Sequence, residues 1–167
     1  DPLGISTGAG LIFGATGGVM EAAIRTVYEI VTKDELKNLD FKPVRGLKGI
    51  KEAALEIEGQ KLLVAVAHGL KNARQLLEQI EEGQSPYHFI EIMACPGGCI
   101  GGGGQPIPTN TETRLKRIEA TYQGDKDMPL RKSHENPAVL ALYEEFLGEP
   151  LGHKSHHLLH TSYEKRK

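Results

Sequence analysis

Apolar residues recur at helical spacing along several stretches of the chain, which predicts amphipathic helices. A polar stretch that begins at Thr111, a residue type common at helix starts, is also predicted to be helical. The predicted helices cover residues 19–31, 72–82, 111–122 and 138–147. The glycine-rich residues 1–18 are predicted to form a loop, and residues 34–39 a short helix or turn.

Three further stretches predict β-strands. Residues 45–57 and 60–68 alternate in polarity around a Glu58-Gly59 turn, so we expect them to form a strand pair. Residues 62–67 are almost all apolar, as in a strand covered on both faces. A third stretch, residues 87–94, follows a predicted helix, and the order strand, helix, strand favours a parallel pairing.

These elements predict an α/β fold with a mostly parallel sheet flanked by helices and with a helical C-terminal tail. We expect the sheet to lie within residues 1–125 and the tail to comprise residues 126–167.

Composition narrows the class of protein. The 167 residues include 39% hydrophobic side chains and carry a net charge of −2, which favours a globular domain over a disordered or nucleic-acid-binding segment. No apolar run approaches the roughly 20 residues that span a membrane, and no basic-then-apolar export signal is present. We therefore expect a cytoplasmic protein without nucleic-acid or membrane partners. The chain begins Asp1-Pro2 without Met, which predicts a fragment of a longer protein.

Both cysteines, Cys95 and Cys99, directly follow the third predicted strand and precede a run of glycines. Ligands of parallel sheets collect at the carboxyl ends of strands, and glycine lets bare backbone close around a metal cluster. The pair therefore predicts a site for a large inorganic group such as a metal cluster, with a disulfide as the alternative. A radical enzyme that uses S-adenosylmethionine would need a third cysteine where Gly102 stands, and a thioredoxin-type pair has two intervening residues instead of three.

Residues 89–106 resemble the third cysteine signature of the iron-only ([FeFe]) hydrogenases. The matching residues are Glu91, Met93, Ala94, Cys95, Gly98, Cys99, Gly102, Gly103, Gly104, Gln105 and Pro106. Residues 8–23 are similar to the stretch between the second and third signatures of this family. Residues 131–161 are similar to its carboxyl end, which is a separate small subunit in two-subunit relatives.

The resemblance implies a role for individual residues. Cys95 would bind the [4Fe–4S] cubane of the H-cluster, and Cys99 would bind the cubane and bridge to the di-iron subcluster. Met93 would lie against the di-iron unit, so that Met93 and Cys99 are the residues assigned to the catalytic site. Phe13 and Gly14 would line the pocket around the same cofactor.

The resemblance also implies an activity, the reversible oxidation of H2 to protons and electrons. The family's first two cysteine signatures are absent from this chain, so we expect catalysis only together with the missing N-terminal part, on the same chain or a separate one. Electrons would pass through ferredoxin or NAD-linked modules. The chain alone is expected to be inactive, and it could lack the cluster altogether.

Some alternatives stay open. The chain could be a non-catalytic relative that carries iron–sulfur clusters for delivery to other proteins, or a structural lobe without metal. Phe13 could be an ordinary core residue, and His68, at a strand end, could relay protons or be structural. The tail histidines could form a zinc site or belong to a packed docking segment. These histidines are His153, His156, His157 and His160.

Overall fold

The computed structural model describes residues 4–164. The helices are α1 (Gly8–Ile12), α2 (Gly18–Thr32), α3 (Leu70–Glu81), α4 (Thr111–Asp127), α5 (Pro137–Leu142) and α6 (His153–Leu159). The strands are β1 (Ile50–Ile57), β2 (Gln60–His68) and β3 (Phe89–Met93). Short 3₁₀ turns occupy Lys42–Val44, Cys99–Gly101 and Ser133–Glu135, and a π-helical turn, Tyr143–Leu147, continues α5. No helix within this range is long and apolar enough to cross a membrane.

The three strands form one sheet in the order β1-β2-β3. Strands β1 and β2 are antiparallel, because the two-residue turn Glu58-Gly59, with positive φ at both positions, reverses the chain between them. Strands β2 and β3 are parallel, joined through α3 as expected. The α/β class is confirmed. The described sheet is mixed, however, so the expectation of mostly parallel pairing holds only between β2 and β3.

Helix α1 corrects the expectation that residues 1–18 form a loop. Thr7 caps this helix by accepting a hydrogen bond from the Gly10 N–H at 3.1 Å, and the side chains of Ala9 and Ile12 are fully buried. The cap and the burial of apolar groups outweigh the low helix propensity of glycine.

Two strands are shorter than expected, and the segment predicted to be a short helix or turn is not helical. Strand β1 begins at Ile50 instead of residue 45, because Gly46, with φ of +93°, interrupts the extended backbone. Strand β3 covers the central part of the expected 87–94 stretch. Residues 34–39 contain bends and no helix.

The core lies on both faces of β2. Val64 and Val66 pack against Met20 of α2 on one face, while Ala65 and Ala67 pack against α3 on the other. The expectation of a strand covered on both faces is confirmed. A third apolar cluster joins α1, α2 and α4 to the region after β3.

A buried group of charged side chains joins α2 to α4 and to the segment that follows α4. Arg25, with 1% of its side chain exposed, donates to Glu21 at 2.7 Å and to both oxygens of the fully buried Asp125 at 2.8 Å. Arg131 donates to Asp125 at 2.6 Å. Removing one member would leave an unpaired charge in the interior. The group crosses the expected boundary at residue 125, and the division into two domains stays a prediction.

We expect Asp125→Asn to lower the free energy of unfolding by about 3 kcal/mol or more, because it removes the carboxylate that Arg25 and Arg131 share and leaves Glu21 as the remaining buried partner of Arg25. Urea denaturation followed by circular dichroism measures this loss. The matched control is Glu112→Gln, which removes a carboxylate from α4 that is 75% exposed and paired with Lys116. This control should cost less than about 1 kcal/mol. Equal losses in the two variants would contradict the assigned role of the buried group.

Candidate metal centre

Both cysteines lie just beyond the carboxyl end of β3, as expected. Cys95 is half-buried, Cys99 is exposed, and both thiols are free, so the disulfide alternative is wrong for this structure. A 3₁₀ turn, Cys99–Gly101, starts at the second cysteine. Two thiols separated by three residues at an accessible sheet edge are available to bind metal.

Two loops build the site and are hydrogen-bonded to each other. The cysteine loop comprises residues 95–106, and the pocket loop comprises residues 13–17. The Thr16 N–H donates to the Gly97 carbonyl, and the Ile100 N–H donates to the Gly14 carbonyl, each at 3.0 Å. The backbone of the pocket loop therefore fixes the backbone on both sides of Cys99.

Gly98 allows this close approach. A Cβ at Gly98 would lie 2.8 Å from the Gly14 oxygen, the Met93 Sδ and the Thr16 nitrogen, and its φ of +93° is unfavourable for other residues. The thioether of Met93 consequently packs against the backbone of the cysteine loop. The structure thus brings Met93 and Gly14 together at Gly98, next to Cys99 in the chain.

The remaining predicted residues lie on the open side of the site. A Cβ at Gly102 would be 3.6 Å from the Sγ of Cys95, which places the glycine run beside this thiol. The Phe13 side chain is 47% exposed. Phe13 is therefore too exposed to be an ordinary core residue, and its ring is available to line a pocket.

Three buried side chains, one from each strand, hold the two loops on the sheet edge. The first is Glu91 of β3, whose carboxylate oxygens accept hydrogen bonds from the N–H groups of Gly17 and Met20, each at 2.7 Å. Gly17, at the start of α2, has no side chain to cap the helix. The Glu91 carboxylate supplies this cap, and its charge is favourable at a helix N-terminus.

Lys51 of β1 holds the opposite side of the same peptide bond. Its ammonium group donates to the carbonyl oxygens of Thr16 and Gly46, each at 3.0 Å. The peptide between Thr16 and Gly17 is therefore held by Lys51 at its oxygen and by Glu91 at its N–H. Burial lowers the pKa of Lys51 to about 8, although the negative charge of Glu91 opposes this shift.

His68 of β2 fixes the cysteine loop. Its Nδ1 accepts a hydrogen bond from the Gly97 N–H at 3.2 Å, and its Nε2 lies 3.1 Å from the Leu47 carbonyl. Because a carbonyl oxygen can only accept, Nε2 is the nitrogen that donates to Leu47. Both ring nitrogens are engaged, which favours the structural role of His68 over a proton relay.

Comparison with known proteins identifies the family. A family model described as "Iron only hydrogenase large subunit, C-terminal domain" matches residues 1–103, and another, "Iron hydrogenase small subunit", matches residues 111–166. The chain belongs to the iron-only hydrogenase family. The resemblance inferred from the cysteine motif is confirmed.

The chain is 55% identical over 166 residues to the NADP-reducing hydrogenase subunit HndD of Solidesulfovibrio fructosivorans, covering 99% of this chain and 28% of that protein. It is 57% identical over 125 residues to the periplasmic [Fe] hydrogenase large subunit of Nitratidesulfovibrio vulgaris, covering 74% and 30%. A solved variant of [FeFe]-hydrogenase HydA1 from Chlamydomonas reinhardtii superimposes with a TM-score of 0.72 and 44% identity, over 98% of this chain and 48% of that one. The chain spans less than a third of the length of these curated relatives.

A relative at lower identity has a different printed function. The cytosolic iron-sulfur assembly component 3 of Rattus norvegicus is 36% identical over 154 residues, which cover 90% of this chain and 31% of that protein.

The tail histidines lie on and just after α6. The rings of His156 and His160 stack with 4.2 Å between their centroids. Among residues 4–164, two groups bring three potential metal ligands within 4.8 Å of one another, and neither includes a tail histidine. The structure therefore gives the zinc alternative no third ligand, and a docking role for the tail stays a prediction.

The contacts of Lys51 and Glu91 with the pocket loop could not be predicted from the sequence. The motif includes Glu91 but does not indicate its partners, and Lys51 lies outside every motif. The available signal was a charged residue at an inward-facing position of a largely apolar strand. Such residues are seldom buried without a specific partner.

We expect the stability difference between the unsubstituted protein and Lys51→Met to depend on pH. The pKa of Lys51 is about 8 in the folded state and ordinarily 10.5, so the unfolded chain binds more protons between these values. The unsubstituted protein should therefore gain stability relative to Lys51→Met as the pH rises from 8 to 10.5, by an amount on the order of 3 kcal/mol.

Urea denaturation at pH 7, 8, 9 and 10 measures this difference. The control is Lys71→Met, at an exposed position of α3, which should show no such trend. A stability difference between the unsubstituted protein and Lys51→Met that stays constant across this pH range would contradict the lowered pKa of Lys51.

Proposed function

We propose that this chain is the C-terminal lobe of an [FeFe] hydrogenase catalytic subunit and that the complete enzyme interconverts H2 with two protons and two electrons. In this proposal Cys95 and Cys99 supply two of the four thiolates of a [4Fe–4S] cubane, and Cys99 also bridges to the di-iron part of the H-cluster. The observation that carries it is the pair of free, accessible thiols beside Met93 and the glycine-rich backbone.

The residues present fit such a group. A Cβ at Gly103 or Gly104 would meet no atom within 4 Å, so there is open space beside the half-buried Cys95 and the exposed Cys99. The N–H groups of Gly101 and Gly102 already donate to carbonyls of the same loop. Gly103 and Gly104 are therefore the candidates for donating to cluster sulfides, which would raise the reduction potential of the cluster.

The chain's own residues would bind and shape the cofactor. The bound H-cluster supplies the iron chemistry that splits H2 heterolytically and the cubane that conducts electrons. Cys95 and Cys99 hold it, the Met93 thioether packs against it without adding charge, and Phe13 and Gly14 line the pocket. By resemblance, the family's proton-donating cysteine and the lysine that contacts its cyanide ligand lie in the missing upstream signatures. This chain alone should not catalyse the reaction.

The proposal requires further parts. The missing N-terminal part supplies the other two cubane thiolates, on the same chain or a separate one, and ferredoxin or NAD-linked modules exchange the electrons. Exposed apolar residues of the tail are available for docking on that missing part. These residues are Leu140, Leu142, Phe146, Leu151, Leu158 and Leu159. We place the enzyme in the cytoplasm, where free thiols persist.

A second candidate is a non-catalytic protein that carries iron–sulfur clusters for delivery, supported by the 36% identity to the rat assembly component. Met93 and the Phe13-Gly14 pair favour the hydrogenase, because a simple cubane carrier has no di-iron unit to surround. Infrared and ultraviolet–visible spectra of the complete protein separate the candidates. Carbonyl and cyanide stretches are expected for the hydrogenase, whereas a brown cubane absorption band alone would favour the carrier.

We expect Cys99→Ser in the complete enzyme to abolish hydrogen evolution while the fold survives, because the thiolate that bridges the two iron units is lost. A methyl viologen assay measures the activity, and circular dichroism monitors the fold. The control is Thr161→Ser, a similarly small change at an exposed position. Full activity in Cys99→Ser would contradict the bridging role.

Reconstitution of this chain alone with iron and sulfide should yield a weakly held cluster or one shared by two copies, because the chain supplies only two thiolates. Size-exclusion chromatography with iron and sulfide analysis distinguishes these states from a monomeric cubane. A tightly bound cubane in a monomer would contradict the proposal that half of the ligands lie elsewhere.

A further inference from the structure

Arg117 of α4 joins the two ends of the glycine run in the cysteine loop. Its Nη1 donates to the Ile100 carbonyl at 2.8 Å, and its Nη2 donates to the Pro106 carbonyl at 2.7 Å. These two carbonyls lie on either side of residues 101–105, so one planar guanidinium closes the loop. Arginine suits this position because its two terminal nitrogens can bind separate acceptors at once.

The residue that Arg117 holds is the neighbour of Cys99. Ile100 donates its N–H to the Gly14 carbonyl at 3.0 Å, and its carbonyl accepts from Arg117 at 2.8 Å. Its side chain is buried in the apolar cluster with Ile118 and Tyr122 of α4. The pocket loop and α4 thus fix the backbone immediately after Cys99 from two directions.

The glycine run cannot hold its own position by side-chain packing. The backbone bonds within it are local, from Gly101 to Gly98, from Gly102 to Cys99 and from Gln105 to Gly102. A second arginine of α4 also packs against the loop, since a Cβ at Gly101 would lie 3.0 Å from the Nε of Arg114. Helix α4 therefore supplies the side chains that brace a loop rich in conformational freedom.

We propose that Arg117 is a positioning residue for Cys99, because it closes the cysteine loop and so holds this sulfur where the iron cluster needs it. For the cluster itself, the inference rests on the proposed function. Arg117 lies in the segment that matches the hydrogenase small subunit. In this proposal, the segment that matches the small subunit contributes to the cluster-binding site.

The test compares Arg117→Gln and Arg117→Lys in the complete hydrogenase, prepared with and without its cluster. Hydrogen exchange of the cluster-free protein reports loop closure directly. We expect the amides of Ile100, Gly102 and Gln105 to exchange about tenfold faster in both variants. This is the change expected when local opening of the loop becomes easier by the free energy of about one hydrogen bond. Lysine keeps the charge, but its single nitrogen does not reproduce the spacing of the two terminal guanidinium nitrogens that reach the two carbonyls. Loss of iron to a chelator from the loaded protein should be several-fold faster in both variants.

The matched control is Lys116→Gln, which removes a positive charge from the adjacent, exposed position of α4. It should change neither measurement. The inference would be overturned if Arg117→Gln left amide exchange and iron retention unchanged. It would also be overturned if Arg117→Lys matched the unsubstituted protein in both measurements. Circular dichroism shows whether each variant is folded. If the unsubstituted protein bound no iron at Cys95 and Cys99, the proposed function would fail, while the exchange data would still decide loop closure.

Discussion

The candidate metal centre depends on the close approach of two backbone segments. At Gly98 the cysteine loop comes so near to Gly14, Thr16 and the Met93 sulfur that no Cβ can be placed between them. Paired hydrogen bonds of 3.0 Å then join the two loops on either side of this contact. The backbone on both sides of Cys99 is consequently held in place by the pocket loop.

The sheet edge stabilises this contact with buried polar groups. Lys51, His68 and Glu91 each come from a different strand, and each binds backbone atoms of the site or of the segments beside it. Burying such groups costs free energy unless they find partners, and backbone N–H and carbonyl groups supply those partners here. The loops gain order from groups that would otherwise destabilise the core. A metal ligand needs such order, because its sulfur must be in place before the metal binds.

Much of the fold follows from the sequence by simple patterns. The hairpin at Glu58-Gly59, the fully covered strand β2 and the cysteines beyond β3 were predictable from alternation, turn chemistry and motif. The buried pairs were not, because Arg25 and Asp125 are 100 residues apart, and Glu91 caps a helix 71 residues earlier in the chain. Helix α1 also escaped prediction, since its glycines signal a loop while its stability comes from distant packing. Sequence periodicity indicates which face of a helix or strand is buried, but it does not indicate which residues pack against that face.

In the proposed function, Cys95 and Cys99 supply half of the protein ligands of an iron–sulfur cluster from a backbone that is already ordered. Anomalous diffraction at the iron edge, from crystals of the complete protein, would locate the iron. We predict iron atoms within bonding distance, about 2.3 Å, of both cysteine sulfurs, with the pocket loop and the cysteine loop still joined at Gly98. Iron bound away from these two sulfurs, or loops that have separated, would contradict the account.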